Sequence, residues 1–185
     1  MEVYEWNKEA PRYLIDIATS YNIPPVNDIS GHLMTIYNIA RLVPGNTIVE
    51  LGVGGGNSTI ALLASNKTVH SFDIDECLFV NKMIGELGIA VRWHFTKSDS
   101  INVAWDKPID LLFIDTSHTF NQTTHELELF GKHMVFGGAI LLHDIASNEG
   151  ASRAVHEYLG RNPYIFRYEA HYWCYGLGIL WRDIE

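Results

Sequence analysis

Basic residues are scarce. Thirteen lysines and arginines stand against 22 acids in 185 residues, a net charge of −9 with histidine neutral. Proteins that grip a phosphate backbone usually carry a basic stripe, and none is visible, which argues against a nucleic-acid polymer as partner but not against a single nucleotide. Cysteine is rarer still. Cys77 and Cys174 have no metal or redox spacing and read as buried free thiols. No apolar run approaches ~18 residues, and the opening Met1-Glu2-Val3-Tyr4-Glu5 is not a signal peptide. These absences lead us to expect a cytoplasmic protein with no membrane partner, in which the Asn-x-Ser/Thr matches at Asn57, Asn66 and Asn121 carry no meaning. Low-complexity segments are missing too, and the length suits one α/β domain with a real core.

What is present is organised around Val49-Glu50-Leu51-Gly52-Val53-Gly54-Gly55-Gly56-Asn57-Ser58-Thr59. An apolar strand runs into an acid, glycines follow at alternate positions, and an apolar helical pattern begins at Ile60. Glycines let the backbone turn sharply and let a ligand approach it, and the helix behind presents unpaired N–H groups. The next strand, Thr68 to Phe72, ends at Asp73, about 20 residues beyond Glu50, where a doubly wound fold sets a carboxylate against a ribose. Nucleoside binding is the first inference. The spacing is Glu-x-Gly-x-Gly-x-Gly, not the Gly-x-Gly-x-x-Gly that holds a pyrophosphate. An acid so close suits a ligand with a cationic amine or sulfonium. Here the sequence resembles the class I S-adenosylmethionine (SAM)-dependent methyltransferases, whose first motif has this form.

Further along, the chain alternates. We expect helices over 31–42 (capped by Ser30), 76–87 and 151–159, and one opened by a capping box at Thr123-x-x-Glu126. Between them lie strands at 91–95 (a half-exposed edge), 109–114 and 139–142. The tail, 164–168 and 177–181, has no intervening helix and should pair antiparallel. Residues 1–29, with a short helix near 11–20, read as a lid segment; residues 30–185 form a single domain. The resemblance implies a Rossmann-like α/β fold with a seven-stranded, mostly parallel sheet of order 3-2-1-4-5-7-6. A nicotinamide-binding fold would instead continue with another strand–helix unit.

Ligand sites in open α/β sheets lie beyond the carboxyl ends of the strands. Those ends carry Glu50, Asp73, Ser98 with Asp99, Asp115 and Asp144. So many acids at one edge are hard to explain as structure. Asp73 should accept from the ribose hydroxyls, with Asp75 as runner-up and helix cap. Glu50 and the Gly52, Gly54 and Gly56 backbone, opening into Ser58, should face the methionine part. Asp99 with Ser98 resembles the family's third motif, toward the adenine amine. Phe113-Ile114-Asp115-Thr116-Ser117-His118, then Gly137-Gly138 and His143-Asp144, resembles a methyltransferase subgroup that includes enzymes acting on sugar and antibiotic hydroxyls, with Thr116 where that subgroup usually has glycine.

A hydroxyl is a poor nucleophile near pH 7 and needs a base or a metal. His118 suits the first role, since an imidazole titrates near neutrality. Asp115 and Asp144 suit the second, as oxygen ligands for Mg2+ or Mn2+, with His143 or His118 completing the set. Catechol-type methyltransferases place an asparagine after the second aspartate; Ile145 stands there and cannot coordinate. His32 at the head of the leading helix is either a substrate contact or a solvated histidine. The aromatic Tyr172-Trp173-Cys174-Tyr175 lines an acceptor pocket, packs in the core, or meets a second copy of the chain in a homodimer. The preferred reading is SAM-dependent O-methylation of a small hydroxylated acceptor. The alternatives are a SAM-binding protein without transfer activity and an NAD-dependent oxidoreductase.

Overall fold

The computed structural model describes residues 28–163 and 165–183. The lid expected over 1–29 and its helix near 11–20 lie outside these residues, but for Asp28 and Ile29. Helices α1 (Leu33–Leu42), α2 (Asn57–Leu63), α3 (Leu78–Glu86), α4 (Phe120–Gly131) and α5 (Glu149–Arg161) surround strands β1 (Thr47–Leu51), β2 (Thr68–Asp73), β3 (Trp93–Lys97), β4 (Ile109–Ile114), β5 (Met134–His143), β6 (Phe166–His171) and β7 (Leu177–Arg182). They form one seven-stranded sheet of order β3-β2-β1-β4-β5-β7-β6. The first five strands run parallel; β7 pairs antiparallel with both β5 and β6. The Rossmann-like sheet is as the resemblance implied.

Its layout follows from burial. The central β4, Ile109 to Ile114, is buried at every position, as a parallel strand covered on both faces must be. Alternate residues serve opposite layers. Ile48, Leu111 and Phe113 pack with Leu33, Ile36, Ile60 and Ile84 on one side. Val49, Leu112 and Ile140 pack with Leu127, Phe130 and Val155 on the other. The chain leaves β1 outward to β2 and β3, then returns on the other side as β4. Strand order therefore reverses between β1 and β4, and a crevice opens beyond their carboxyl ends. Among the described residues no helix is long and apolar enough to cross a membrane.

Several boundaries differ from expectation, each for a local reason. Ser30 lies inside a 3-10 turn, Asp28–His32, so it does not cap α1, which starts at Leu33 without a side-chain cap. A second 3-10 turn, Ala90–Arg92, delays β3 to Trp93. Left-handed Cys77 (φ 45°) precedes α3, so Asp75 does not cap it. The box read at Thr123 and Glu126 is interior to α4, whose cap is Thr119, accepting from the Gln122 amide at 3.4 Å.

One glycine ties three strand ends together. Gly52 (φ 86°) donates to the Phe72 carbonyl at 2.9 Å, and the neighbouring Leu51 carbonyl accepts from Asp115 N at 2.8 Å. A Cβ on Gly52 would run into the Asp115 carbonyl. The left-handed backbone costs an ordinary residue ~1–2 kcal/mol before that overlap is counted. Gly52→Ala should therefore lower the melting temperature by about 4–8 °C, read by calorimetry. An unchanged melt would contradict this lacing.

Candidate active site

The crevice holds a cavity of about 360 Å³ lined by Gly52, Gly54, Phe72, Asp73, Ile74, Asp75, Ser98, Asp99, Ser100, Asp115, Thr116, Ser117 and Gln122. Its size is within the range of small-molecule sites. Its shape begins with Asp73. One carboxylate oxygen accepts from Val53 N at 2.7 Å and Gly54 N at 3.1 Å, and the other from Asp75 N at 2.9 Å. Burial alone would raise this carboxyl; the three amides outweigh it and hold its pKa below the usual range. Asp73 thus clamps the glycine loop as well as lining the cavity.

Glu50 is a correction. It was expected to face the ligand, but it is fully buried and does not line the cavity. Its carboxylate accepts from Ser58 Oγ (2.8 Å), Thr59 Oγ1 (2.9 Å) and Ser71 Oγ (2.6 Å), and Ser71 in turn accepts from Trp93 Nε1 at 2.8 Å. A buried carboxylate needs such donors, and the nearest are the hydroxyls that open α2 and lie across β2. Ser58 serves this cage instead of the cavity, and Gly56 admits Val80 and Met83 of α3 where a Cβ would clash. Burial raises Glu50 to about 7, the hydroxyls pulling against it.

At the far end of the cavity Asp99 accepts from Ile101 N (3.2 Å) and from Gln122 Nε2 (3.3 Å). Behind it sits Glu126, fully buried, taking Ser100 Oγ at 2.5 Å and Thr116 Oγ1 at 3.0 Å. Sequence reasoning missed Glu126 and Gln122. Their i, i+4 spacing on one helix face was the available signal.

The ends of β4 and β5 bring four side chains together. His118 Nε2 lies 3.1 Å from Asp144 Oδ2 and 3.7 Å from Asp115 Oδ1. His143 Nδ1 lies 3.2 Å and 3.3 Å from the same two oxygens. The other nitrogen of His143 meets the Cys174 carbonyl at 3.1 Å. Acceptor oxygens thus face both ring nitrogens of His143. His118 (φ 55°) and Asp144 (φ 64°) are left-handed, which aims both side chains at this point. Ligand atoms of Asp115, His118 and Asp144 fall within 4.8 Å of one another, a set that could hold a metal ion; of the two histidines considered for it, His118 is in this set and His143 is not.

His32 belongs to the same neighbourhood. It is buried, not solvated, and donates from Nε2 to the Trp173 carbonyl at 2.9 Å. Burial, with His143 and His171 nearby, takes it down to about 4 despite that bond.

The family model for a methyltransferase domain matches residues 49–145, a little over half of the chain and the part that carries the glycine loop, both aspartates and His118. The chain belongs to this methyltransferase family. By family and fold it is a SAM-dependent methyltransferase. Solved structures share the architecture. A protein from Corynebacterium glutamicum matches at TM-score 0.73 and 16% identity, over 97% of this chain and 93% of its own. An O-methyltransferase from Bacillus cereus in complex with SAH matches at 0.70 and 16%, over 93% and 90%. A methyltransferase from Geobacter sulfurreducens matches at 0.68 and 21%, over 92% and 87%. At such identities the likeness shows the fold. Among curated proteins, none matches in sequence.

The Glu50 cage makes a pH prediction for this methyltransferase. A carboxyl whose pKa rises from 4.5 unfolded to about 7 folded binds more protons in the native state between those values. Its contribution to stability is therefore complete below pH 4.5 and is lost as pH rises through 7, by roughly 3 kcal/mol at most. Urea unfolding of Glu50→Gln should show a flatter stability profile between pH 5 and 8 than the wild type. Parallel profiles would mean that Glu50 stays ionised throughout.

Proposed function

We propose that this methyltransferase uses SAM to methylate a hydroxyl of a small acceptor, and that His118 takes the hydroxyl proton. The observation that carries the reading is the position of His118 Nε2, 3.1 Å from Asp144 Oδ2, beside the cavity that Asp115, Thr116 and Ser117 line.

The donor and acceptor groups fit an adenosyl cofactor. Gly52 and Gly54 leave the cavity wall without side chains, so a ligand can lie against the backbone. Asp73 and Asp75 stand where ribose hydroxyls would donate, and Ser98 and Asp99 where a purine amine would. Asp115, at the near end, offers negative charge to a cationic ligand. Bound SAM supplies an electrophilic methyl on a sulfonium. The chain's task is then alignment, worth up to ~7–11 kcal/mol, and proton removal, worth ~10²–10⁴-fold. Asp144 orients the His118 ring and offsets the charge it gains on accepting the proton. The acceptor would stand against the aromatic turn after β6, whose Tyr172, Trp173 and Tyr175 are exposed.

A second reading has its own support in the Asp115–His118–Asp144 set. A divalent ion held by those three residues would lower the pKa of a hydroxyl bound to it. The two readings exclude each other at His118, because one lone pair cannot both bind a metal and take a proton.

Titration calorimetry should show S-adenosylhomocysteine binding at micromolar to submillimolar ligand; no binding at millimolar concentration would remove both readings. Transfer of labelled methyl to a panel of phenols and sugars should persist in EDTA. His118→Ala should cut turnover by ~10²–10⁴ while changing S-adenosylhomocysteine affinity little. Loss of activity in EDTA, restored by Mg2+ or Mn2+, would instead favour the ion.

A further inference from the structure

Glu126 makes no contact with the cavity, yet every donor it holds lines it. Its carboxylate accepts from Ser100 Oγ at 2.5 Å, Thr116 Oγ1 at 3.0 Å and Gln122 Nε2 at 3.1 Å. All three donors are cavity residues. Gln122 Nε2 also lies 2.8 Å from Ser100 Oγ and 3.3 Å from Asp99 Oδ1.

This web fixes which way the Gln122 amide points. Carboxylate oxygens only accept, so the atom facing Glu126 and Asp99 must be the nitrogen. Ser100 spends its one proton on Glu126, so it too can only accept from Gln122. Both amide hydrogens are thereby used on the protein side. The carbamoyl oxygen of Gln122 makes no hydrogen bond among the described residues, nor does Asp99 Oδ2. Two side-chain acceptor oxygens are left for a ligand here. A purine amine brings two hydrogens on one nitrogen and can serve both; a 6-oxo purine presents a carbonyl, which both oxygens repel. Without the Glu126 carboxylate, only the longer Asp99 contact at 3.3 Å is left to keep the nitrogen turned away. Thr116 matters for the same reason, since its hydroxyl holds the second oxygen of Glu126.

We infer that Glu126 is a positioning residue that orients the Gln122 amide, and that Gln122 together with Asp99 selects a 6-amino purine over its 6-oxo counterpart. The inference rests on the adenosyl cofactor proposed above and adds to it how the base is chosen.

The test is a ratio of affinities. Calorimetry compares S-adenosylhomocysteine with S-inosylhomocysteine, identical except for the amine-to-oxo exchange. Wild-type protein should favour the amine by about 100-fold or more. Gln122→Met, close in volume, should cut that ratio at least tenfold. Glu126→Gln should also cut it, although Gln122 is intact, because a carboxamide neighbour accepts either orientation. A purely structural role for Glu126 would weaken both ligands alike and leave the ratio unmoved. An unchanged ratio in Gln122→Met overturns the selection, and an unchanged ratio in Glu126→Gln overturns the positioning. Should Glu126→Gln fail to fold, Gln122→Met still decides the selection and Thr116→Val, which also loosens Glu126, decides the positioning. Wild type that binds both ligands equally refutes this inference alone. Wild type that binds neither refutes the cofactor reading, and this one with it.

Discussion

The carboxylate of Glu50 lies beyond the reach of water, and the start of the glycine loop's helix is arranged around meeting its needs. An unsatisfied buried acceptor costs more than most single contacts return. The three hydroxyls that answer it come from two elements: Ser58 and Thr59 from the first turn of α2, Ser71 from β2. Trp93 then fastens β3 to Ser71. The bonds fix where α2 begins relative to β1, and with it the path of the glycine loop. Asp73 grips the same loop from the opposite side through Val53 and Gly54. One acid holds the loop from beneath and the other from the rim. Glu126 repeats the device at the far end of the cavity with Ser100, Thr116 and Gln122. Buried carboxylates in this fold act as organisers of the residues that meet a ligand, and they need not meet it themselves.

That division explains which parts could be read from the sequence. The strand order and the row of acids were legible, because parallel strands buried on both faces read as apolar runs and the acid at the end of each run breaks the pattern. Asp73, Asp99, Asp115 and Asp144 all stand at strand ends as the runs predict. What an acid faces is a different matter. Glu50 and Asp73 end neighbouring strands, yet one points into the core and the other lines the crevice; nothing in Val49-Glu50-Leu51 against Phe72-Asp73-Ile74 distinguishes them. Thr123-x-x-Glu126 fails for a related reason. A capping box and a buried polar pair on a helix face share the same spacing, and only the true start, at Thr119, separates them.

Backbone conformation was equally hidden. His118, Asp144, Cys174 and Tyr175 all have positive φ without being glycine. Such residues cost of order 1–3 kcal/mol each and persist only where their surroundings over-determine them. The surroundings are visible here. Gly150 of α5 packs so closely on the His118 and Thr119 backbone that a Cβ would overlap it. The turn at Cys174 and Tyr175 is held by three sets of bonds. His32 reaches the Trp173 carbonyl, His143 the Cys174 carbonyl, and the amides of Ala146 and Ser147 the Tyr175 carbonyl. Its place in the sequence leaves His32 as a substrate contact or a solvated histidine; in the fold it is a strut between the leading helix and the aromatic turn.

The same struts limit what the histidines can do together. Rings of His32 and His143 approach to 5.8 Å between centroids, close enough to suggest a proton path from the acceptor site into the protein. The path is broken by its own hydrogen bonds. Each ring spends Nε2 on a backbone carbonyl, which accepts a hydrogen bond but does not pass a proton on. Nδ1 of His143 is turned the other way, to Asp115 and Asp144. A proton taken from an acceptor at His118 is therefore not handed inward to His32. In the proposed role it would stay beside Asp144 at the mouth of the site, where the His118 side chain is 23% exposed. His32 and His143 are buried and hold the aromatic turn, whereas the His118 ring beside them reaches solvent.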